Sequence, residues 1–159
     1  MKNNDSPKES LRILNSREKK EINQRVHEQW GCELDKSLVF ILSNKDKLYL
    51  ADPDIEMVDF KKIRLDRIGT YVATVDEKDV RLSIEGAQII GPSAKKNVVD
   101  IEYDEMRDWF HGLDLAREDM KESGFVILKH DNDFLGSGKV TGKGILNFVP
   151  KARRILSAD

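Results

Sequence analysis

Basic side chains that could bind an anionic ligand are concentrated near the end of this chain. Residues 134–155 read FLGSGKVTGKGILNFVPKARRI and contain no acidic residue. The formal net charge of the chain is -2. The cations of this stretch are Lys139, Lys143, Lys151, Arg153 and Arg154. Each phosphate that such a cation neutralises releases a condensed counterion, so the stretch predicts binding to a polyanion. Because the whole chain is slightly acidic, that binding must come from the local cluster.

The glycines of the same stretch predict how its backbone is shaped. Gly136, Gly138, Gly142 and Gly144 mark sharp bends or points of close approach. Gly136 and Gly138 in particular would let the backbone approach a phosphate or a sugar. The apolar pieces between the glycines, above all residues 146–149, predict short strands. Strands joined by tight turns would hold the cations along one edge.

A plainer interpretation is that these are ordinary surface cations, as most lysines and arginines are. The neighbouring sequence argues against it. Residues 99–122 carry nine acids and only three cations, so charge of opposite sign is sorted into adjacent segments. We expect substitution of Arg153 and Arg154 to change folding little, because exposed charges contribute little to stability.

Residue types and spacings that support catalysis do not occur together here. Cys32 is a lone cysteine after a predicted helix, which is typical of a small buried apolar residue. The three histidines are scattered and have no metal-ligand spacing. The stretch 138–144 resembles a phosphate-binding loop, but its glycine spacing is wrong and Gly144 replaces the required Ser or Thr. The sequence therefore predicts no catalytic residue, no metal site, no cofactor and no enzyme activity.

Length and composition indicate a water-soluble globular protein. The chain has 159 residues, of which 35% are charged and 39% apolar. We find no apolar run of the roughly 18 residues that span a membrane. The polar N-terminus lacks the apolar core of a secretory signal, and a single cysteine suits a reducing compartment. We therefore expect a cytoplasmic location and no membrane partner.

The elements of the first half predict a small α+β domain over residues 13–78. Residues 1–12 are polar and predict a disordered lead-in. Asn15 and Glu18 form a capping-box pattern, and a helical apolar stripe follows that stops at Gly31. Residues 38–50 predict a β-hairpin, residues 55–63 a second short helix and residues 68–75 a strand. A helix on a small sheet is an α+β unit.

The second half, residues 79–159, predicts a β-rich domain that begins after the charged cluster of residues 76–79. Its strands are predicted at residues 80–83, 97–101 and 124–130 and within the basic stretch. Residues 84–91 predict a tight turn or brief helix, and residues 103–110 a helix that ends at Gly112. Several short strands with little helix favour a small, closed, barrel-like sheet.

Several motifs of this half carry a family resemblance. They are Gly86-Ala87, Trp109-Phe110-His111-Gly112, residues 124–128 (GFVIL), residues 136–139 (GSGK) and residues 147–154 (NFVPKARR). Together they resemble the RNA-binding tail of the Fmu/Sun family of RNA cytosine-5 methyltransferases, which is a PUA-like domain. Residues 14–18 are similar, more loosely, to the pre-PUA domain that precedes such modules. The resemblance implies a pre-PUA-like α+β domain followed by a PUA-like β pseudo-barrel that binds RNA, and it implies no catalysis.

The predicted function is that of a stand-alone RNA-binding protein acting on rRNA or tRNA, in ribosome biogenesis or RNA modification. The expected contacts are Gly136, Gly138, Lys139, Lys143, Asn147, Lys151, Arg153 and Arg154. Two roles stay open: the Asn147 amide either caps a turn or contacts RNA, and Trp109 either packs in the core or stacks on a base. The alternative function is an adaptor that docks a separately encoded RNA methyltransferase or a ribosomal protein.

Overall fold

The computed structural model describes residues 10–54, 69–118, 120 and 124–156, and the first of its two sheets is antiparallel. Its strands, adjacent in chain order, are β1 (Leu11–Ile13), β2 (Val39–Ser43), β3 (Lys47–Ala51), β4 (Thr70–Val75) and β5 (Val80–Leu82). Helix α1 (Ser16–Trp30) connects β1 to β2. The predicted hairpin of residues 38–50 is confirmed, since β2 pairs with β3.

Helix α1 begins and ends where the sequence predicts. The Asn15 side chain accepts a hydrogen bond from the Glu18 backbone N–H at 2.9 Å, and the Glu18 side chain accepts one from the Asn15 backbone N–H. Gly31 follows the last turn with a φ of 70°, a left-handed conformation that suits glycine. The apolar stripe of Ile22 and Val26 is buried against the sheet.

The N-terminal lead-in and the second short helix are the two remaining predictions for the first half. The predicted lead-in of residues 1–12 is too long, because Leu11–Ile13 pairs with β2 as a regular strand. Pairing with β2 satisfies backbone groups that a disordered tail would leave to water. Residues 1–9 and the helix predicted at residues 55–63 lie outside the described residues.

The second sheet contains the remaining strands and confirms the α+β class. In chain order the elements are α2 (Ile84–Ile90), β6 (Val98–Asp100), α3 (Tyr103–Phe110), β7 (Leu115–Ala116), β8 (Gly124–His130), β9 (Asp133–Thr141) and β10 (Gly144–Leu146). The strand order is β6-β8-β9-β10-β7, with β6 parallel to β8 and the other pairs antiparallel. Within the described residues β6 and β7 remain edges, so hydrogen bonds do not close the predicted barrel there.

The two sheets share one apolar core. A single cluster of buried side chains includes Val26, Trp30, Phe40, Val72, Phe125 and Ile127, from both halves of the chain. Helix α2 packs between the sheets against β4 and β9. Gly86 lies so close to the Val72 carbonyl that a Cβ atom has no room, which is why this helix can approach β4. A second cluster around Trp109 fills the other side of the second sheet.

The charged turn of residues 76–79 lies within the first sheet. The backbone N–H groups of Asp79 and Lys78 donate to Asp76 Oδ1 at 2.6 and 2.8 Å. These bonds, that of Asp79 first, hold the pKa of the Asp76 carboxyl below its ordinary value. Because β5 pairs with β4, the passage from one sheet to the other comes after Leu82. The division into domains at residues 78 and 79 stays a prediction.

Candidate nucleic-acid interface

The three lysines of the basic stretch are exposed and project from different elements. Lys139 lies on β9, Lys143 in the turn between β9 and β10, and Lys151 in the 3₁₀ turn Lys151–Arg153. None of them forms an ion pair with a residue that the structure describes. The Lys139 ammonium lies 5.9 Å from the centre of the Phe125 ring. These side chains are therefore available to an anionic ligand, although they do not line one strand edge.

The two arginines, in contrast, contact the protein itself. Arg153 Nη1 lies 2.6 Å from Glu85 Oε1 on helix α2. Arg154 is half-buried, packs against Gly112 and donates from Nε to the Val149 carbonyl at 3.1 Å. Residues 147–155, the C-terminal segment from here on, are thereby tied to both α2 and α3. Arg154 is thus not the free surface charge that the sequence suggests.

Asn147 fastens the start of the C-terminal segment. Its Nδ2 donates to the carbonyls of Trp109 at 2.7 Å and Leu113 at 2.8 Å, and its Oδ1 accepts from the Val149 N–H at 2.8 Å. The side chain therefore satisfies backbone carbonyls at the end of α3 and in the turn that follows it, and one backbone N–H of its own segment. Strand β10 ends at Leu146, so the strand predicted over residues 146–149 is wrong beyond that point. The geometry favours the capping alternative for this amide.

The two glycines predicted to meet the ligand are buried in β9. A Cβ at Gly138 would overlap Ile145 and come within 2.8 Å of the Trp109 ring and 2.9 Å of the Leu146 carbonyl. Gly138 is therefore needed for packing beneath Trp109, whose Nε1 donates to the Leu135 carbonyl at 3.1 Å. Trp109 is fully buried, which decides for the core alternative. Gly136 has a φ of +101° and lines a cleft between the two sheets.

That cleft joins the predicted Gly136 and Arg153 to residues that sequence reasoning missed, namely Tyr71, Arg81, Glu85 and Phe148. It has a volume of about 110 Å³, and its lining includes Tyr71, Arg81, Glu85, Gly136, Phe148 and Arg153. The Arg81 guanidinium lies 4.5 Å from the centre of the Phe148 ring. The alternation of Val80, Arg81 and Leu82 was a usable signal, because it directs Arg81 away from the core side of β5. Its contact with Phe148, far along the chain, has no sequence signal.

Within the described residues there is no group of three or more His, Cys, Asp or Glu side chains placed to hold a metal ion. Cys32 is buried, and burial raises the pKa of its thiol, which disfavours the reactive thiolate. No described helix has the length and apolarity needed to cross a bilayer.

Comparison with known proteins finds similarity to one family of RNA methyltransferases. Residues 96–155 match the family described as the methyltransferase RsmF PUA domain. The chain is 28% identical over 131 residues to ribosomal RNA small subunit methyltransferase F of Vibrio cholerae serotype O1. The aligned stretch covers 82% of the chain and 27% of that protein.

Similar proteins of the same name occur in Aeromonas. That of Aeromonas hydrophila is 30% identical over 111 residues, covering 70% of the chain and 23% of the relative. That of Aeromonas salmonicida is 32% identical over 90 residues, covering 57% and 19%. The chain thus spans about a quarter of the length of the curated relatives it matches. The looser resemblance of residues 14–18 to a pre-PUA domain stays a prediction. The predicted PUA-like resemblance is confirmed, and residues 96–155 carry a PUA-like domain similar to that of the RsmF methyltransferases.

Proposed function

We propose that this chain binds structured RNA through its second half, and that small-subunit rRNA is the first RNA to test. One observation carries the proposal: residues 96–155 resemble the PUA domain of methyltransferases named for small-subunit rRNA. The exposed lysines of the same region supply the phosphate contacts that such binding needs. The chain would serve RNA modification or ribosome biogenesis as the RNA-holding part. Methyl transfer itself would come from another domain or protein.

The proposed contacts have different roles. Lys139, Lys143 and Lys151 neutralise phosphates directly, since no described carboxylate competes for them. Arg153 can contact a phosphate only with the donors that Glu85 leaves free, and Arg154 supports the site by holding the C-terminal segment in place. Gly136, Gly138 and Asn147 shape the surface by allowing the backbone and Trp109 to pack closely.

The test measures the affinity of the chain for a structured small-subunit rRNA fragment at two or more salt concentrations. We expect the triple variant Lys139→Gln, Lys143→Gln and Lys151→Gln to bind more weakly. The slope of log affinity against log salt should also fall by about 0.7–0.9 for each phosphate contact that is lost. Different RNA sequences should lose affinity to a similar extent, because phosphate contacts do not read bases.

A matched control removes the same amount of charge from the first half. Lys20, Lys36 and Lys45 are exposed, and their triple substitution by Gln changes the net charge equally. A local site requires the control to bind nearly as well as the wild type. Equal losses of RNA affinity in both variants would show that only the overall charge of the chain matters. Wild-type affinity and salt slope in the Lys139/Lys143/Lys151 variant would show that these lysines do not belong to the site.

A second candidate function is the adaptor, and one observation favours it. Large apolar side chains are exposed near the end of α3 and the C-terminus, namely Leu113, Leu146, Ile155 and Leu156. The Ile155 N–H donates to the Phe110 carbonyl at 2.8 Å, so this residue lies against α3. Such side chains suit contact with a separately encoded methyltransferase or a ribosomal protein. Substitution of Leu113 and Ile155 by Ser should abolish an adaptor's association with its partner and leave binding to purified RNA intact.

A further inference from the structure

A second cavity, separate from the cleft, lies where the C-terminal half of α1 meets the start of β8. Its volume is about 270 Å³, and its lining includes two cations, two acids and one aromatic ring, namely Arg25, Lys78, Glu28, Asp79 and Phe125. These residues come from α1, from the turn between β4 and β5, and from β8. The sequence predicts none of them as a site residue. We call this space the α1 cavity.

The walls of the α1 cavity are fixed by hydrogen bonds between distant residues. The Gln29 side chain, which also lines the cavity, donates from Nε2 to the Val80 carbonyl at 3.2 Å and accepts from the Val80 N–H at 3.3 Å. Asn97 Nδ2 donates to the Gln29 carbonyl. These bonds join α1 to the edge of β5 and to the residue before β6. The cavity is therefore shaped before a ligand enters, which lowers the cost of ordering side chains on binding.

Arg25 brings a buried hydrogen-bond donor to this cavity. Its Nη2 atom is buried and has no hydrogen-bond partner among the described residues. A buried guanidinium N–H without an acceptor destabilises a protein, so such donors are normally satisfied by a protein group, a water molecule or a ligand. Because Arg25 lines the cavity, a ligand oxygen bound there would supply the missing acceptor.

The charged side chains around the α1 cavity do not pair with one another. Arg25, Lys78 and Asp79 form no ion pair with a described residue. Asp76 lies near Arg25: backbone hydrogen bonds, that from Asp79 first, lower the pKa of its carboxyl, and attraction to Arg25 adds to this. Both signs of charge therefore border the cavity. A simple anion would be repelled by the acids, and a simple cation would leave the Arg25 donor unsatisfied.

We propose that the α1 cavity binds a small zwitterion, and that free α-amino acids are the class to which this ligand belongs. The carboxylate accepts from Arg25, and the ammonium lies between Glu28 and Asp79. The volume corresponds to roughly nine water molecules at about 30 Å³ each, which suits a compound of this size. Phe125 supplies apolar surface for the side chain of the ligand. The inference goes beyond RNA binding and does not depend on it.

The experiment measures thermal melting and calorimetric binding of the full chain with each of the twenty common L-amino acids in turn. At about 10 mM ligand, which is roughly tenfold above a millimolar Kd, at least one of them should raise Tm and give a saturable heat of binding. The N-acetyl derivative and the methyl ester of that amino acid are the matched probes, because each lacks one of the two charges. Both should bind at least about tenfold more weakly, which is the scale of one charge-assisted hydrogen bond.

Arg25→Gln and Asp79→Asn should each weaken binding of that amino acid by about tenfold, because each removes one of the two charges that the ligand meets. Arg17→Gln is the matched control, since the Arg17 side chain is 88% exposed on α1 and does not line the cavity. Melting without ligand checks that each variant is folded. Should Arg25→Gln unfold, Asp79→Asn and the two derivatives decide the outcome.

The possible results separate a zwitterion site from simpler ones. No change in Tm and no binding heat with any of the amino acids would overturn the proposal. Equal affinity for the N-acetyl derivative would leave a site for simple carboxylates, and equal affinity for the methyl ester would mean that no carboxylate is recognised. Either result contradicts the zwitterion. Loss of binding confined to the two cavity variants would support it, whatever the affinity of the chain for RNA.

Discussion

The β9–β10 hairpin and the C-terminal segment are both basic, but they hold their cations in different ways. Lys139 and Lys143 of the hairpin stand in solvent without an ion-pair partner among the described residues. Arg153 and Arg154 of the segment bind a carboxylate and a backbone carbonyl. The arginine fork can satisfy several acceptors at once, whereas a lysine ammonium is a compact and strongly hydrated charge. Positive charge in a sequence therefore does not by itself mark a side chain as free for a ligand.

The glycines of the hairpin also differ in what surrounds them, and substitution of the buried Gly138 should have the largest effect on stability. Gly138→Ala would force a Cβ against Trp109, Ile145 and the Leu146 carbonyl. We expect this overpacking to lower the free energy of unfolding by about 3 kcal/mol. Chemical denaturation measures the change.

The matched control for that variant is Gly142→Ala in the same hairpin, where a Cβ would meet no atom within 4 Å. Its free energy of unfolding should stay within about 0.5 kcal/mol of the wild type. Similar values for the two variants would contradict the packing role of Gly138.

The C-terminal segment can be loosened at its first residue. Asn147→Ala removes the side chain that contacts the Trp109 and Leu113 carbonyls and the Val149 N–H. We expect a loss of about 2 kcal/mol in unfolding free energy, because the partly buried Trp109 carbonyl and Val149 N–H would lack partners. Asn132→Ala, in the exposed β8–β9 turn, is the control. A folded Asn147→Ala protein of normal stability and weakened RNA binding would instead make this amide a ligand contact.

The two neighbouring arginines give a finer comparison within the segment. Arg154→Gln should destabilise the protein by about 1 kcal/mol, because it removes packing on Gly112 and the bond to the Val149 carbonyl. Arg153→Gln breaks an exposed pair with Glu85 and should cost at most about 0.5 kcal/mol. Urea denaturation of both single variants measures the difference. A reversed order would show that the ion pair, and not the backbone contact, holds the segment.

The lysines should have the smallest effect on folding. Substitution of Lys139, Lys143 and Lys151 by Gln should leave the free energy of unfolding within about 0.5 kcal/mol of the wild type. Thermal melting checks this value on the same protein preparation that is used for RNA binding. A marked drop in Tm would mean that at least one of these lysines stabilises the fold, and would weaken its assignment as a ligand contact.

Local sequence was sufficient to predict most of the helices and strands. The Asn15 and Glu18 capping box and Gly31 set the limits of α1, and short apolar runs of β-forming residues located β2, β3 and β8. These features depend on residues that are close in the chain, so their spacing carries the information. The resemblance of the second half could also be read from its motifs, because glycines, aromatic residues and prolines at defined positions reflect one backbone geometry.

The candidate site depended on contacts between distant residues. Arg81 lies on Phe148, Arg153 on Glu85, and Asn147 on the turn after α3, and each pair is separated by tens of residues. The spacing of residues along the chain does not predict such long-range contacts. They arise when the apolar core brings both sheets and α2 together, so which cations remain free was decided by the tertiary structure alone.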